Sequence, residues 1–271
     1  MKSLLRKIIR KLLDNRRIRR FKREVMMIRR KPNFDESENI MHFSFEDQPV
    51  AFKVPDIADF ISFSICKQES FFDIKDLLVL RNIIPSNSVI VDGGANIGNH
   101  AIFFAKVLKA KKIYCFEPQK KIFNILVCNI HLNKLNSIIE PIFIGLSDKK
   151  SFANIDYRDD IQLSPNFHQV NHGGLYLKEV LKTDGIFQLN TLDFLLFERL
   201  TQLDFIKLDI QGFEIKALKG SENLIKKFLP LIQIECMRHE ELNKFIIPHL
   251  SSLGYRLKIV LNTDYIFEPI I

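Results

Sequence analysis

Four short apolar runs in this chain each end on a residue that could hold a ligand or a proton. Asp92 stands directly before Gly93-Gly94-Ala95-Asn96-Ile97-Gly98, and Glu117 directly before Pro118. Ser147-Asp148 closes a third run, and Asp209 opens Asp209-Ile210-Gln211-Gly212-Phe213-Glu214. A glycine turn between strand and helix lets a ligand approach the backbone at the positive end of a helix. The glycines form a GxAxxG variant of the dinucleotide fingerprint. Asp92 changes that reading, because a carboxylate there repels a pyrophosphate and suits the sulfonium and ammonium charges of S-adenosylmethionine. Glu117 is placed to accept both ribose hydroxyls, a role an NAD protein would share.

Transfer of a methyl group from a sulfonium needs an in-line nucleophile, a desolvated pocket and a proton acceptor. A sugar hydroxyl is a very weak acid, so its proton must leave while the methyl moves. Asp209 reads as that base or as a metal ligand, against a structural alternative of capping the turn at Gly212. Glu214 reads as a helix cap, a lysine partner or a site group. His172 and His168 lie four apart in the loop-like stretch 164–174; His172 is read as a base on a substrate loop rather than half of a metal pair. His239, after the fifth strand, is the rival base. His100 opens the first core helix and either touches the cofactor or packs. His42, His131 and His249 are assigned to structure, and no metal ligands are assigned. The fourth-strand end lacks the Asn/Asp-Pro-Pro-Tyr pattern that suits transfer to nitrogen, and it holds no cysteine for a thiol adduct.

The elements that must position these residues alternate. Strands are expected at 88–91, 112–116, 138–146, 205–208 and 231–234, with helices after the first two at 99–110 and 119–135. A terminal antiparallel hairpin, 255–260 with 265–268, closes the chain. Such alternation gives an α/β fold with a mainly parallel sheet, and ligands then bind at the strand carboxyl ends. Ahead of this core the alternation of Met41, Phe43, Phe45 with Val50, Phe52, Val54 predicts a β-hairpin, and 56–82 is mostly helical. The expected division is a basic helical arm at 1–31, a hairpin-and-helix lid at 33–87 and the ligand-binding domain at 88–271.

The arm carries the charge. The 271 residues have a net charge of +8, yet fourteen Lys and Arg against Asp14 and Glu24 crowd into the first 31, leaving a mildly acidic body. Leu4, Leu5, Ile8, Ile9, Leu12 and Leu13 form one helical stripe; Ile18, Phe21, Val25 and Ile28 form a second, pointing nearly the opposite way. A bend near Asp14-Asn15, or two different contacts, is therefore expected. Residues 1–15 suit an anionic membrane surface, and the second stripe suits docking on the body or on a second subunit in a homo-oligomer. Nucleic acid is not an expected partner, since stacking aromatics are nearly absent from the arm. Charges interrupt the arm too often for a secretory signal. Four scattered cysteines fit a reducing, cytoplasmic home, with the arm on the inner face of the cytoplasmic membrane as its peripheral variant.

The runs 91–98 and Phe116-Glu117-Pro118, with Gly145-Leu146-Ser147-Asp148-Lys149, Thr191-Leu192-Asp193, 204–214 and Leu218-Lys219-Gly220, resemble the FkbM family of S-adenosylmethionine-dependent methyltransferases. The resemblance spans roughly residues 69–240, and Gln211 stands where the family usually carries Glu. It implies a class I, Rossmann-like methyltransferase sheet and methyl transfer, commonly to oxygen. By that resemblance Asp92, Gly93, Gly94, Asn96 and Gly98 shape the methionine side of the cofactor pocket. Glu117-Pro118 would meet the ribose, and Ser147-Asp148 would lie near the adenine. The acceptor expected is a hydroxyl of a surface glycan or glycolipid sugar. The alternatives are an RNA or small-metabolite methyltransferase, or a non-catalytic nucleotide-binding scaffold.

Overall fold

A computed structural model describes residues 2–156, 177–181 and 185–270, with backbone alone for 2–15. The described residues fall into two compact units, one through Phe72 and one from Asp73 onward.

In the first unit α1 (Lys2–Arg29) is one uninterrupted helix. The expected bend at Asp14-Asn15 is absent, because the segment holds neither proline nor glycine to break the hydrogen-bond ladder. The second apolar stripe does dock: Ile28 is buried, and the Phe21 ring lies 5.0 Å from Phe63. After β1 (Phe34–Asp35), the strands β2 (Ile40–Phe45) and β3 (Gln48–Lys53) form the expected hairpin. Its two-residue turn puts Glu46 and Asp47 at φ 46° and 61°, the geometry that matches strand twist. Helix α2 (Phe60–Gln68) starts on Asp59, whose carboxylate accepts from the amides of Ile61 and Ser62. It ends on Lys31, whose Nζ donates to the carbonyls of Cys66 and Lys67 at 3.0 and 3.3 Å. A cation at a helix carboxyl end is favoured by the helix dipole.

The second unit opens with α3 (Ile74–Ile83), which the sequence grouped with the lid. Then come β4 (Val89–Gly93), α4 (Asn99–Lys106), β5 (Lys112–Phe116), α5 (Lys120–Leu132) and β6 (Ile139–Ile142). A smaller set follows: β7 (Gly145–Leu146), β8 (Ser151–Ile155), β9 (Leu177–Val180), β10 (Phe187–Asn190) and α6 (Leu192–Leu196). The chain returns through β11 (Phe205–Leu208), α7 (Glu214–Lys219), α8 (Glu222–Phe228) and β12 (Leu231–Glu235). It finishes with α9 (His239–Glu241), a π-helical turn, α10 (Ile247–Ser252), β13 (Tyr255–Leu261) and β14 (Asp264–Pro269). The main sheet runs β13-β14-β12-β11-β4-β5-β6, antiparallel only where β14 pairs with its two neighbours. This is the expected mainly parallel α/β sheet. Its order reverses between β4 and β11, so their carboxyl ends bound the crevice in which such folds bind ligands.

The third strand departs from expectation. Ile138–Leu146 is not continuous: Ile144 N donates to Ile142 O at 3.0 Å, and that tight bend ends β6. Pro141 removes a ladder donor, which is tolerated because β6 is an edge strand. Gly145-Leu146 leaves for a second, four-stranded sheet, β7-β10-β8-β9.

Several of the sequence runs prove architectural. Thr191 caps α6 through Phe194 N, and the Asp193 carboxylate accepts from Asn223 N and Leu224 N at the start of α8. Asp204 Oδ2 accepts from Val89 N at 2.7 Å, anchoring the start of β4 from the loop ahead of β11. A Cβ on Gly220 would sit 2.1 Å from Ser147 O.

Candidate active site

A cleft of about 490 Å³ opens beyond the carboxyl ends of β4, β5 and β11. Its walls include Gly94, Glu117, Pro118 and Asp209 among the predicted residues, with Gln211 and Phe213 beside them. Phe116, Leu146, Leu177 and Leu189 make the rest of its lining largely apolar. Asp92, Gly93, Asn96, Gly98, His100, Ser147 and Asp148 do not line it.

Glu117 is buried at the end of β5. Its Oε2 accepts from Asn96 N at 3.2 Å and its Oε1 from Gln119 N at 2.8 Å. Each oxygen keeps a lone pair for a hydroxyl donor from the cleft. Burial pushes the carboxyl up to about 7, against the pull of those two amides. Asn96 sits at φ 51° and folds its side chain back, Oδ1 accepting from Ile97 N at 2.7 Å. Gly94 owes its identity to packing as well as to any ligand: at φ 76° its position leaves a Cβ only 1.9 Å from the Asp209 carbonyl oxygen.

Asp92 is fully buried, and neither carboxylate oxygen has a hydrogen-bond partner among the described residues. The nearest cation is Lys207, whose Nζ lies 3.4 Å from Asp92 Oδ1 and 3.3 Å from Asp209 Oδ2. The two strands are in register here, Lys207 directly opposite Asp92. Burial raises the Asp92 carboxyl despite this lysine. Lys207 is 2% exposed, and burial alone would lower it; the charges of Asp209 and Asp92 outweigh burial and hold it firmly protonated. The sequence reading passed over Lys207. Its signal was a lysine inside the apolar run Phe205-Ile206-Lys207-Leu208, a place a charge occupies only with a partner.

Asp209 does not cap the turn at Gly212. Glu214 does so, accepting from Gly212 N at 2.9 Å and from Ile210 N at 3.0 Å. Burial raises the Glu214 carboxyl to about 7. Asp209 instead pairs with Lys207 and accepts from Gln211 Nε2 at 2.9 Å. Burial would raise its carboxyl; Lys207, a hydrogen bond with Glu235 and the Gln211 amide hold it below the usual range.

The histidines separate. His100 lies on α4 against Phe104, with ring centroids 6.1 Å apart. Burial first, then Lys207, drops it to about 3, so its ring is neutral at ordinary pH. His239 is exposed, its Nδ1 3.3 Å from the Tyr265 hydroxyl, and it lines no cavity described here. His172, with His168, lies outside the described residues. Among the described residues no group of three or more His, Cys, Asp or Glu is arranged to hold a metal ion.

Comparison with known proteins gives this geometry a family. Residues 92–257 match the model of the methyltransferase FkbM domain. Methyltransferase sdnD of Sordaria araneosa is 28% identical over 191 residues, covering 60% of this chain and 73% of that protein. Hexuronic acid methyltransferase AglP of Haloferax volcanii is 23% identical over 171 residues, covering 60% of this chain and 65% of that one. Among solved structures, methyltransferase FkbM from Methylobacillus flagellatus aligns at a TM-score of 0.46 and 20% identity, over 67% of this chain and 43% of that one. The chain therefore spans less than half the length of that structural relative. With residues 92–257, more than half of this chain, inside the matched domain, this chain belongs to the FkbM methyltransferase family and is an S-adenosylmethionine-dependent methyltransferase.

Proposed function

We propose that the protein methylates a hydroxyl of a glycan or glycolipid sugar, holding S-adenosylmethionine in the cleft between Glu117 and Asp209. The carrying observation is the pair of carboxylates on the wall of one largely apolar cleft. The cofactor, when bound, supplies an electrophilic methyl on a sulfonium. Glu117 would accept the two ribose hydroxyls, with its orientation set by Asn96 N and Gln119 N. Phe116, Leu146 and Leu189 would exclude water from the adenosine side. Asp209, kept ionised by Lys207, would take the acceptor's proton. Asp92, without a hydrogen-bond partner among the described residues and sharing Lys207 with Asp209, would add negative potential for a cationic ligand from behind the cleft wall. A sugar acceptor is supported by the likeness to a hexuronic acid methyltransferase. It also agrees with a strand end lacking the pattern suited to transfer to nitrogen.

Calorimetry with S-adenosylhomocysteine tests the ribose assignment. Glu117→Ala should weaken binding at least ~10-fold, or ~1.4 kcal/mol, for loss of a charged hydrogen-bond acceptor. The pH dependence has two opposite limbs. Glu117 is raised from 4.5 to about 7 in the folded protein. The free protein therefore loses this stabilisation as pH climbs through that window, while ligand affinity rises because the ionised form accepts the hydroxyls. Affinity independent of pH between 6 and 8, or unchanged in Glu117→Ala, removes Glu117 from the ribose. Mass spectrometry of surface glycans with and without the protein then identifies the acceptor. Loss of a methyl mark on RNA, with the glycans unchanged, would refute the sugar reading.

Within this reading the basic arm attaches the enzyme to an anionic bilayer. No helix among the described residues is long and apolar enough to cross a membrane. Residues 1–15 instead offer six apolar side chains flanked by cations, each cation worth ~1 kcal/mol near an anionic surface. Deleting residues 1–15 should abolish flotation with phosphatidylserine vesicles and leave S-adenosylhomocysteine binding intact. An intact protein that ignores such vesicles at low salt would make the arm a protein contact.

A further inference from the structure

Beyond the cleft lies a second cavity of about 340 Å³, and the two share Gln211, while Glu235 lines the second. Asp209 lines only the first. The Gln211 side chain lies between these acids. Its Nε2 donates to Asp209 Oδ1 at 2.9 Å and to Glu235 Oε2 at 2.8 Å, across 24 residues of sequence. The backbone of Gln211 sits at φ 52°, the left-handed region that a side-chain-bearing residue seldom adopts. Glu214 enforces it from below by taking the amides on either side, Ile210 N and Gly212 N. Strain retained at a residue bridging two acids marks a position that the surrounding structure is built to hold.

We propose that Gln211 is a positioning residue whose amide clamps Asp209 and Glu235 into one unit, so that the acceptor's proton is taken by the pair rather than by a lone carboxylate. This rests on the methyltransferase reading of the cleft and adds the proton's route to it. The acceptor hydroxyl would meet Asp209 in the first cleft, with Glu235 on the other side of Gln211 in the second cavity.

The electrostatics agree with a pair holding one proton. Burial, then the charge of Asp209, pushes Glu235 up to about 9, whereas Asp209 stays below the usual range. Two interacting acids this close titrate as a unit. The charged and titratable groups around Asp209 are Lys207 on its own strand, Asp92 on β4, His100 on α4 and Asp264 at the start of β14. Asp73 before α3, Glu117 after β5 and Glu214 on α7 also feel its charge. Among the described residues Lys207 is the cation ion-paired with Asp209, at 3.3 Å, while Arg238 and Glu241 line the second cavity with Glu235. That asymmetry puts the negative charge on Asp209 and the proton on Glu235. On transfer, an oxygen lone pair of the acceptor would form the new C–O bond as the methyl's bond to the sulfonium sulfur breaks and leaves its electron pair on sulfur, while the acceptor O–H bond gives its proton to Asp209 and its electrons to oxygen. Both acids are then neutral until one proton returns to water.

The test is a carbon-13 carboxyl NMR titration of the full-length protein, wild type, Gln211→Leu and Gln211→Glu, with S-adenosylhomocysteine calorimetry on the same samples. In the wild type the Glu235 signal should titrate near pH 9 while the Asp209 signal stays that of an ionised acid from pH 5 to 8. Gln211→Leu removes the donor and should raise the Asp209 titration by at least one pH unit. Gln211→Glu adds a third carboxylate of the same shape and should raise it at least as far, so the proposal stays testable if the leucine variant fails to fold. Two acids titrating independently near 4 in the wild type overturn the pair. An Asp209 titration unmoved in both variants overturns the role of Gln211. Failure of the wild type to bind S-adenosylhomocysteine, with the titration as expected, would refute the cofactor cleft and leave the pair standing.

Discussion

Asp209→Asn should lower methyl transfer about 10²- to 10⁴-fold, the range a general base contributes, while S-adenosylhomocysteine affinity changes less than threefold. The substitution keeps the shape of the side chain and a carbonyl oxygen near Lys207. It removes the negative charge that Lys207 holds in place from 3.3 Å. Measured initial rates, with labelled methyl transferred to the glycan fraction that carries the mark, read the first effect; calorimetry reads the second. Loss of folding or of cofactor binding in this variant would make Asp209 a structural residue. Activity that survives EDTA in the wild type separates a base from a metal ligand. A second consequence follows from the neighbouring acid. Burial and then the Asp209 charge raise Glu235 to about 9. With that charge gone the Glu235 carboxyl should titrate at lower pH in Asp209→Asn.

Lys207→Met is expected to cost about 3–5 kcal/mol of folding stability, the usual consequence of removing one partner from a buried ion pair. Lys207 is the cation between Asp92 and Asp209, and Asp92 has no other partner among the described residues. Without it Asp92 must either remain a buried, unpaired anion or take up a proton. The loss therefore has a pH signature. Asp92 is already raised above 3.8 by burial, and removing Lys207 raises it further. The variant should regain stability as pH falls and lose it as pH rises through the new, higher value. The double variant Lys207→Met, Asp92→Asn should recover part of the loss, because it removes the orphaned charge at Asp92 while the more exposed Asp209 still lacks Lys207. Urea denaturation at pH 5 and 8 measures all three. A single-variant loss of about 1 kcal/mol or less, the worth of a surface pair, would contradict this account.

Much of the framework was legible because it is written in nearest neighbours. Lys112–Phe116 and Phe205–Leu208 were predicted to the residue, since a short buried strand between polar ends carries its own boundaries. The hairpin of β2 and β3 and the helical stripe of Ile18, Phe21, Val25 and Ile28 were legible for the same reason. The carboxylates at strand ends were visible because the ends of parallel strands gather by topology alone, which is how Glu117 and Asp209 reach one cleft. The break after Ile142 was not visible, as its cause is the departure of Gly145-Leu146 to pair with β10, more than forty residues on.

The site's electrostatics were decided by tertiary structure. The sequence supplied Asp92 as a charge for the ligand, whereas strand register sets Lys207 directly against it. Gly94 was legible as a glycine turn, but the group that forbids a side chain there is the carbonyl of Asp209, from a strand 115 residues later. Gln211 looked like a lost charge, and only the fold brings Glu235 to its other side. The physical reason is one of range. Periodicity and capping act over a few residues, so a chain can state them locally. Which carboxylate meets which lysine or amide depends on register between strands far apart in sequence, and that is fixed only when the sheet has formed.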